Sequence, residues 1–260
     1  MPVLEVIGGL YRILLAAIYF TLFGIGGMII ALFINILHLV FWKVEPLIRL
    51  SRLITRYSFK IYLRTGCLLG IFKIDIQNAQ AQQSKHGCIY IANHPSLLDI
   101  VIMVATIPHL SCYMKSSITK NFFMRAVVKC NRYIAVDGDT EKLLQQSKIQ
   151  LQNGDNLIIF PEGTRTADEN HLKFTHGFAN IAQRGPYVIT PVVIRFCGRA
   201  LKKNTPWYYV YYKRLTYQIR FLDDFNTIDF MHKHCDVPAS ALSRKISFTL
   251  QEIIKEHLKD

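Results

Sequence analysis

The stretch "CIYIANHPSLLD", residues 88–99, decides the fold because it joins a buried strand to a helix through a short polar turn. Its first five residues carry no charge and predict a strand covered on both faces. Pro95 disfavours helical geometry in the residue before it and suits a first helical position. His94 therefore lies on the turn and Asp99 in the first turns of the helix. On one continuous helix, a separation of five would place these two side chains on different faces, whereas the turn lets them converge.

Strands and helices alternate through the rest of the chain after a polar link over residues 78–85. The predicted strands are residues 88–92, 111–115, 132–136, 156–160, 187–194, 208–212 and 215–221. The predicted helices are residues 96–106, 120–130, 140–153, 177–184 and 242–254. Such alternation predicts an α/β fold with a mixed, mostly parallel central sheet covered by helices.

The N-terminal segment predicts a membrane anchor. Residues 13–42 contain no Asp, Glu, Lys or Arg, and this run exceeds the roughly 20 apolar residues that a membrane-spanning helix needs. A signal peptide would have a shorter apolar region followed by a small-residue cleavage pattern. Gly24, Gly26 and Gly27 interrupt the run, so the anchor is either a spanning helix or a re-entrant helical pair. We divide the chain into an anchor with a basic helix, residues 1–77, and a globular domain, residues 78–260.

Basic residues follow the apolar run at spacings of three or four. They are Arg49, Arg52, Arg56, Lys60 and Arg64, and apolar residues are interleaved with them. The pattern predicts a helix lying on an anionic membrane surface, and the alternative is a solvated helix face. Because only Arg12 precedes the apolar run, the positive-inside rule places the globular domain in the cytoplasm.

Charge adds a general expectation about partners. The 31 basic residues exceed the 18 acidic ones, and the net charge of +13 favours an anionic partner. No arrangement of basic and aromatic residues typical of a nucleic-acid module accompanies this charge. We therefore expect a phospholipid membrane as the partner, and no nucleic acid.

The polar turns indicate where chemistry takes place. In open α/β sheets, ligands bind beyond the carboxyl ends of the strands. Three turns follow predicted strands there: "NHPSLLD" (93–99), the region around residues 131–139, and "FPEGTRT" (160–166). If the strands are parallel neighbours, the first and third turns face one crevice.

A histidine oriented by a carboxylate is half of a serine-hydrolase triad, and a substrate hydroxyl can replace the missing serine. We predict that His94 acts as general base and that Asp99 holds its tautomer. Gly163 permits a tight turn, and Arg165 offers a bidentate fork for phosphate. The sequence has no GxSxG or Walker motif and no zinc-type spacing, so we expect neither a covalent intermediate nor a metal. Taken singly, each short motif is also compatible with a structural turn.

Together these motifs resemble the glycerolipid and lysophospholipid acyltransferase family. "NHPSLLD" is similar to the HxxxxD first motif of that family, and "FPEGTRT" matches its third motif. "VITPVVI", with Pro191, is similar to the fourth motif, and Lys115 and "KFTHG" (173–177) resemble less strict positions. The resemblance covers approximately residues 85–200.

The resemblance implies roles for individual residues. His94 and Asp99 correspond to the catalytic pair, Pro191 shapes the acyl region, and the acceptor site is shaped by Glu162, Gly163, Thr164 and Arg165. It also implies acyl-CoA or acyl carrier protein as the donor, no cofactor, and a bacterial inner membrane with the catalytic domain on the cytoplasmic face.

The second motif departs from the family pattern. It usually ends in Ile-Asp-Arg, whose arginine helps to bind glycerol phosphate, whereas this chain has Val136, Asp137 and Gly138. Arg132 lies a few residues upstream and is the candidate substitute. The leading hypothesis is acyl transfer to 1-acylglycerol 3-phosphate. The alternatives are the same chemistry on a different lysolipid or lipid-like acceptor, and a basic membrane-associated binding protein that is not an enzyme.

Overall fold

The computed structural model describes residues 3–40, 45–119, 122–166, 172–210 and 214–259. Two long helices come first, α1 (Val3–Val40) and α2 (Glu45–Leu68). The strands are β1 (Phe72–Gln77), β2 (Ile89–Ala92), β3 (Leu110–Lys115), β4 (Ile134–Val136), β5 (Asn156–Ile159), β6 (Val188–Cys197), β7 (Leu215–Phe221) and β8 (Phe225–Asn226). The remaining helices are α3 (Asp99–Thr106), α4 (Ser116–Thr119), α5 (Phe122–Cys130), α6 (Thr140–Gln152), α7 (Gly177–Ala182), α8 (Thr227–His232) and α9 (Ala239–Lys259).

Within the described residues, eight strands form one sheet in the order β1-β7-β6-β2-β5-β3-β4, with β8 also paired to β6. The five strands β6, β2, β5, β3 and β4 are parallel. β1 and β7 are parallel to each other and antiparallel to β6. The predicted mixed, mostly parallel sheet is confirmed.

Helices cover both faces of this sheet, which explains the unbroken apolar character of β2. Tyr90 and Ala92 join the core on the side of α2 and α3, while Ile89 and Ile91 join the core on the side of α6, α7 and α9. All four side chains are fully buried. A strand covered on both faces has no polar alternation to display.

Several predicted elements differ from the structure. Residues 207–210, in a segment predicted as a strand, form a 3₁₀ turn after Pro206, and residues 211–212 lie outside the described residues. β1 was not predicted, although its sequence FKIDIQ alternates apolar and polar residues as a half-buried edge strand does. It lies before residue 78 and yet joins the sheet, so the sheet includes part of the segment assigned to the anchor. α3 begins at Asp99, three residues later than predicted.

α1 runs without a break through Gly24, Gly26 and Gly27. Within it, residues 8–37 make the one helix of the described residues that is long and apolar enough to cross a membrane. One side of α1 packs on the domain, where Ala16 and Ile34 are buried. The opposite side exposes a continuous apolar stripe: Leu10, Leu14, Ile18, Leu22, Ile25, Ile29, Leu32, Phe33 and Ile36.

The basic stripe of α2 is arranged differently from the prediction. Arg52 is only 8% exposed. It pairs with Asp155 and donates to the carbonyl oxygen of Asn131 at 3.2–3.3 Å. Arg56 donates to the carbonyl oxygens of Ala105 and Thr106 at 3.3 and 3.0 Å, which lie at the carboxyl end of α3, where carbonyl groups lack helical partners.

These two arginines therefore face the domain, and the prediction that they lie on lipid is wrong. Arg49, Lys60 and Arg64 remain exposed. The exposed apolar residues of α2 form the face turned away from the domain: Leu50, Leu53, Tyr57, Ile61 and Leu68.

Candidate active site

The central parallel strands all end on one side of the sheet and all begin on the opposite side. We call the side at which β2, β3, β4 and β5 end the His94 edge, and the side at which they begin the Asp155 edge. β6, β7 and β1 extend past the end of β2, since β2 pairs only with residues 189–192 of β6. They form a wall beside the turn that carries His94. Asn93 fixes this turn to the wall through two 2.8 Å hydrogen bonds with the backbone of Ile194.

His94 and Asp99 converge at the His94 edge. The Nδ1 atom of His94 lies 2.8 Å from the Oδ2 atom of Asp99. Asp99 is fully buried as the first residue of α3, whereas the side chain of His94 is 19% exposed. Because Nδ1 faces the carboxylate, Nε2 is the ring nitrogen left for a substrate.

Ser96 holds the carboxylate of Asp99 from the other side. The N–H group of Ser96 donates to Oδ2 at 2.8 Å, and its hydroxyl donates to Oδ1 at 2.7 Å. The same hydroxyl lies 2.9 Å from the hydroxyl of Tyr217 on β7. Ser96 belongs to the turn in which these bonds form, and α3 begins only at Asp99. Burial raises the pKa of Asp99, and the hydrogen bonds from His94 and Ser96 offset part of that effect.

That Ser96 and Tyr217 support Asp99 was not predicted from the sequence. Ser96 lies three residues before Asp99, the spacing at which a serine backbone N–H and a following carboxylate meet in a turn, so it could have been found. Tyr217 carries no such signal, because it belongs to a strand more than a hundred residues away.

The "FPEGTRT" turn braces the backbone of His94. The N–H group of His94 donates to Oε1 of Glu162 at 3.1 Å and to the hydroxyl of Thr166 at 3.0 Å. The hydroxyl of Thr166 donates to Oε1 of Glu162 at 2.5 Å, and the ring of Phe160 stacks on the imidazole with 4.2 Å between centroids. Burial raises the pKa of Glu162. The two turns face one crevice, as predicted for parallel neighbours, since β2 and β5 pair directly.

The other residues of this turn have separate roles. Gly163 has a φ of +68° and closes the turn by donating to the carbonyl oxygen of Phe160 at 3.0 Å, a conformation that favours glycine. Thr164 is exposed. Nη1 of Arg165 donates to the carbonyl oxygens of Leu201 and Lys202 at 3.1 and 2.9 Å. Arg165 thus connects the turn to the loop after β6 through one guanidinium nitrogen. The predicted contact between Arg165 and a phosphate stays a prediction.

Lys115 lies at the His94 edge, whereas Pro191 lies inside the sheet. Lys115 is exposed at the end of β3, two strands from β2 and therefore about 10 Å across the sheet. Pro191 is buried in β6 opposite Ile91. It sits between residues 188–189, which pair with β8, and residues 192–197, which pair with β7. A proline is tolerated there because position 191 lies between the segment paired with β8 and the segment paired with β7, where the missing N–H group breaks no strand pairing.

Arg132 is at the wrong edge to replace the missing arginine of the second motif. It precedes β4, and its guanidinium contacts Glu45 at 2.7–2.8 Å and Asp155 at 3.3 Å. These contacts hold it at the Asp155 edge, opposite His94. The prediction that Arg132 substitutes in phosphate binding is therefore corrected.

Gly138 does lie at the His94 edge, and its backbone explains its identity. Its φ is +96°, a conformation that an arginine would adopt only with strain. The neighbouring Asp137 accepts a hydrogen bond from Lys142 at 2.6 Å.

Known proteins share this architecture and part of this sequence. Residues 73–195 match the model of a family described as Acyltransferase. The 1-acyl-sn-glycerol-3-phosphate acyltransferase of Limnanthes alba is 26% identical over 147 residues, which are 54% of this chain and 52% of that protein. The enzyme of the same name from Helicobacter pylori is 32% identical over 112 residues, which are 41% of this chain and 47% of that protein.

The match to these curated relatives thus spans only about half of their length. The crystal structure of PlsC, the 1-acyl-sn-glycerophosphate acyltransferase of Thermotoga maritima, superposes with a TM-score of 0.75 at 16% identity, covering 97% of this chain and 96% of that one. At this identity the likeness shows the fold alone. The same α/β architecture therefore extends over nearly the whole chain.

Proposed function

We propose that this chain is a PlsC-like acyltransferase, since residues 73–195 match the model of the Acyltransferase family, and that it transfers a fatty acyl group from an acyl thioester to the hydroxyl of a lysophospholipid. The proposed acceptor is 1-acyl-sn-glycerol 3-phosphate, and the proposed product is phosphatidic acid, in line with the names of its relatives. The observation that carries the proposal is the 2.8 Å contact between His94 and Asp99 at the edge where ligands bind.

His94 acts as the general base in this reaction. Its Nε2 takes the proton of the acceptor hydroxyl while the oxygen attacks the carbonyl carbon of the thioester. Asp99 keeps the proton on Nδ1 and stabilises the imidazolium that forms. When the tetrahedral intermediate collapses, the carbon–sulfur bond breaks and the imidazolium returns the proton to the leaving thiolate. The products are the acylated lipid and a free thiol, carried by CoA or by an acyl carrier protein.

The surroundings of Ser96 favour direct transfer over an acyl-enzyme. Its hydroxyl is fully buried and engaged with Asp99 and Tyr217. A nucleophile must present its oxygen to the substrate beside an available base. Ser96 instead serves to position the carboxylate.

The packing of α1 supports an attachment parallel to the membrane surface. α1 contacts the domain from Ala16 to Ile34, a length of about 27 Å at 1.5 Å per residue. If α1 crossed the bilayer at a right angle, the charged domain surface beside it would enter the hydrocarbon, at a high energetic cost. The exposed apolar faces of α1 and α2 instead suit burial at the level of the headgroups, with the domain on the cytoplasmic side.

The first test replaces His94 by alanine in the full chain, assayed in vesicles with labelled acyl thioester. We expect turnover to fall roughly 10²- to 10⁴-fold, because general-base catalysis contributes about that much. His232→Ala, at an exposed position at the end of α8, is the control and should retain wild-type turnover. Wild-type turnover by His94→Ala, or a fatty chain trapped on a side chain, would contradict the mechanism. If the wild-type chain transfers no acyl group at all, the non-enzymatic membrane-binding hypothesis is favoured.

A second candidate keeps the chemistry and changes the acceptor. It is favoured by Gly138, which replaces the family arginine, and by the position of Arg132 at the other edge of the sheet. Rates with lysophosphatidic acid, lysophosphatidylethanolamine and lysophosphatidylcholine, measured under one set of conditions, decide between the two. A better rate with either of the last two acceptors would replace the first assignment.

A further inference from the structure

An apolar groove lies between α1 and α2, and its lining residues are separate from the catalytic pair described above. Its volume is about 380 Å³. Its lining includes Leu22, Gly26 and Gly27 of α1, Ile61 and Tyr62 of α2, and Leu69, the residue that follows α2. We propose that this groove holds the fatty chain of the lysophospholipid acceptor while its hydroxyl is at His94. This inference rests on the proposed function and specifies how its acceptor is bound.

One end of the groove lies at the His94 edge. β1 is antiparallel to β6, and β6 is parallel to β2, so the start of β1 lies at the edge where β2 ends. Leu69 lines the groove and lies three residues before Phe72, the first residue of β1. The Leu69 end of the groove and the catalytic pair therefore lie toward the same edge of the sheet.

Aromatic contacts connect the wall of the groove to the catalytic pair. The ring of Tyr62 lies 6.0 Å from that of Phe72, and the ring of Phe72 lies 6.5 Å from that of Tyr217. The hydroxyl of Tyr217 lies 2.9 Å from the hydroxyl of Ser96, which bonds to Asp99. Tyr62, Phe72 and Tyr217 thus form a packed row of aromatic side chains between the groove and the catalytic pair.

The rims of the groove indicate that its occupant comes from the membrane. Ile18, Leu22 and Ile61 line it and are 52%, 59% and 66% exposed. They continue the apolar faces by which α1 and α2 contact lipid in the proposed attachment. A chain already in the bilayer enters such a groove sideways without crossing water, whereas the chain of a soluble thioester donor would have to cross it. The groove is therefore assigned to the acceptor chain.

Two glycines of α1 permit a direct test. Gly26 and Gly27 line the groove, while Gly24 does not. A Cβ atom added at any of the three positions would meet nothing within 4 Å. A leucine at each position is therefore accommodated by the backbone and raises helix propensity equally. Gly26→Leu and Gly27→Leu fill the groove, and Gly24→Leu is the matched control with the same added apolar bulk.

We expect Gly26→Leu and Gly27→Leu to raise the KM for a long-chain lysophospholipid roughly tenfold, as the loss of burial of about two methylene groups would. The preference among acceptors should shift toward shorter chains. The KM for the donor, the donor-chain preference and the fraction of protein bound to vesicles should equal those of the wild type. Gly24→Leu should match the wild type in every measurement.

An unchanged acceptor-chain profile in both variants would overturn the proposal. So would a shift in donor-chain preference, or the same change in Gly24→Leu. If no acceptor is acylated by the wild type, the proposed function fails, and labelling then tests the groove separately. A lysophospholipid with a photoreactive group at the end of its chain should label peptides of α1 or α2. Labelling confined to the globular domain would refute the groove.

Discussion

The two edges of the sheet each hold a buried aspartate, and the partners of the two aspartates differ. At the His94 edge, Asp99 contacts one imidazole and accepts two hydrogen bonds from Ser96. At the Asp155 edge, Asp155 pairs with two guanidinium groups, those of Arg52 and Arg132. Both carboxylates are almost inaccessible to solvent.

Under the proposed function, this difference in partner distinguishes the catalytic site at Asp99 from the contact at Asp155 that attaches α2. A guanidinium is a donor without an acceptor site, so Arg52 cannot take a proton from a substrate, and its pair with Asp155 fastens α2 to the sheet. An imidazole can both accept and donate a proton, and His94 keeps part of its ring accessible. The comparison predicts that losing Asp99 impairs turnover, whereas losing Asp155 impairs stability.

The largest expected effect is on turnover, in Asp99→Asn. Asparagine can keep the contacts with His94 and Ser96 if the bond between Ser96 and Tyr217 reverses direction, but it cannot stabilise an imidazolium. We expect kcat to fall roughly 10²- to 10⁴-fold, with a free energy of unfolding no lower than that of the wild type. Acyl-transfer rates and denaturant unfolding measure the two quantities. A large loss of stability with normal kcat would contradict the division between the edges.

The pH dependence of stability provides a second measurement on the same variant. Burial raises the pKa of Asp99 above its ordinary value. Between these two pKa values the folded protein retains a proton that the unfolded chain has lost, so stability falls as pH rises. Asp99→Asn lacks this contribution. The stability of the wild type relative to the variant should therefore decline with rising pH across that interval and be constant above it.

The next effect is on stability, in Asp155→Asn. This change leaves the buried guanidinium of Arg52 without its carboxylate, and breaking a buried pair in this way costs about 3–5 kcal/mol. Turnover per folded molecule should stay close to that of the wild type, because the His94 edge is untouched. Denaturant unfolding and active-site-normalised kinetics are the measurements.

The control for that experiment removes both charges. Arg52→Met combined with Asp155→Leu leaves no buried charge uncompensated and should recover most of the lost stability, as apolar replacements of buried pairs commonly do. If Asp155→Asn unfolds no more easily than the wild type, the cluster does not fasten α2.

The same comparison shows what the sequence could and could not predict. The alternation of strands and helices predicted the sheet, and Pro95 between His94 and Asp99 predicted their convergence, because both signals are local. The partners of Arg52 and Arg132 were not predictable, since they lie on elements distant in the chain. A stripe of arginines on an amphipathic helix has the same spacing whether it faces lipid or the carbonyl groups and carboxylates of its own domain. The alternation in β1 was a local strand signal that could have been found, whereas its pairing with β7, far along the chain, was not predictable.

The smallest expected effect is that of Arg132→Met. This variant tests which edge of the sheet a substrate phosphate contacts. Arg132 is about a quarter exposed, and Asp155 keeps its contact with Arg52 when Arg132 is removed, so Arg132→Met should cost less stability than Asp155→Asn. The KM for lysophosphatidic acid should stay within roughly twofold of the wild type, because a group held at the Asp155 edge cannot contact a lipid at His94. Lys115→Met is the comparison at the His94 edge, and it should raise that KM if a phosphomonoester is the acceptor. A tenfold rise in KM in Arg132→Met, with an unchanged KM in Lys115→Met, would mean that the phosphate approaches the Asp155 edge, and the division of labour between the two aspartates would fail.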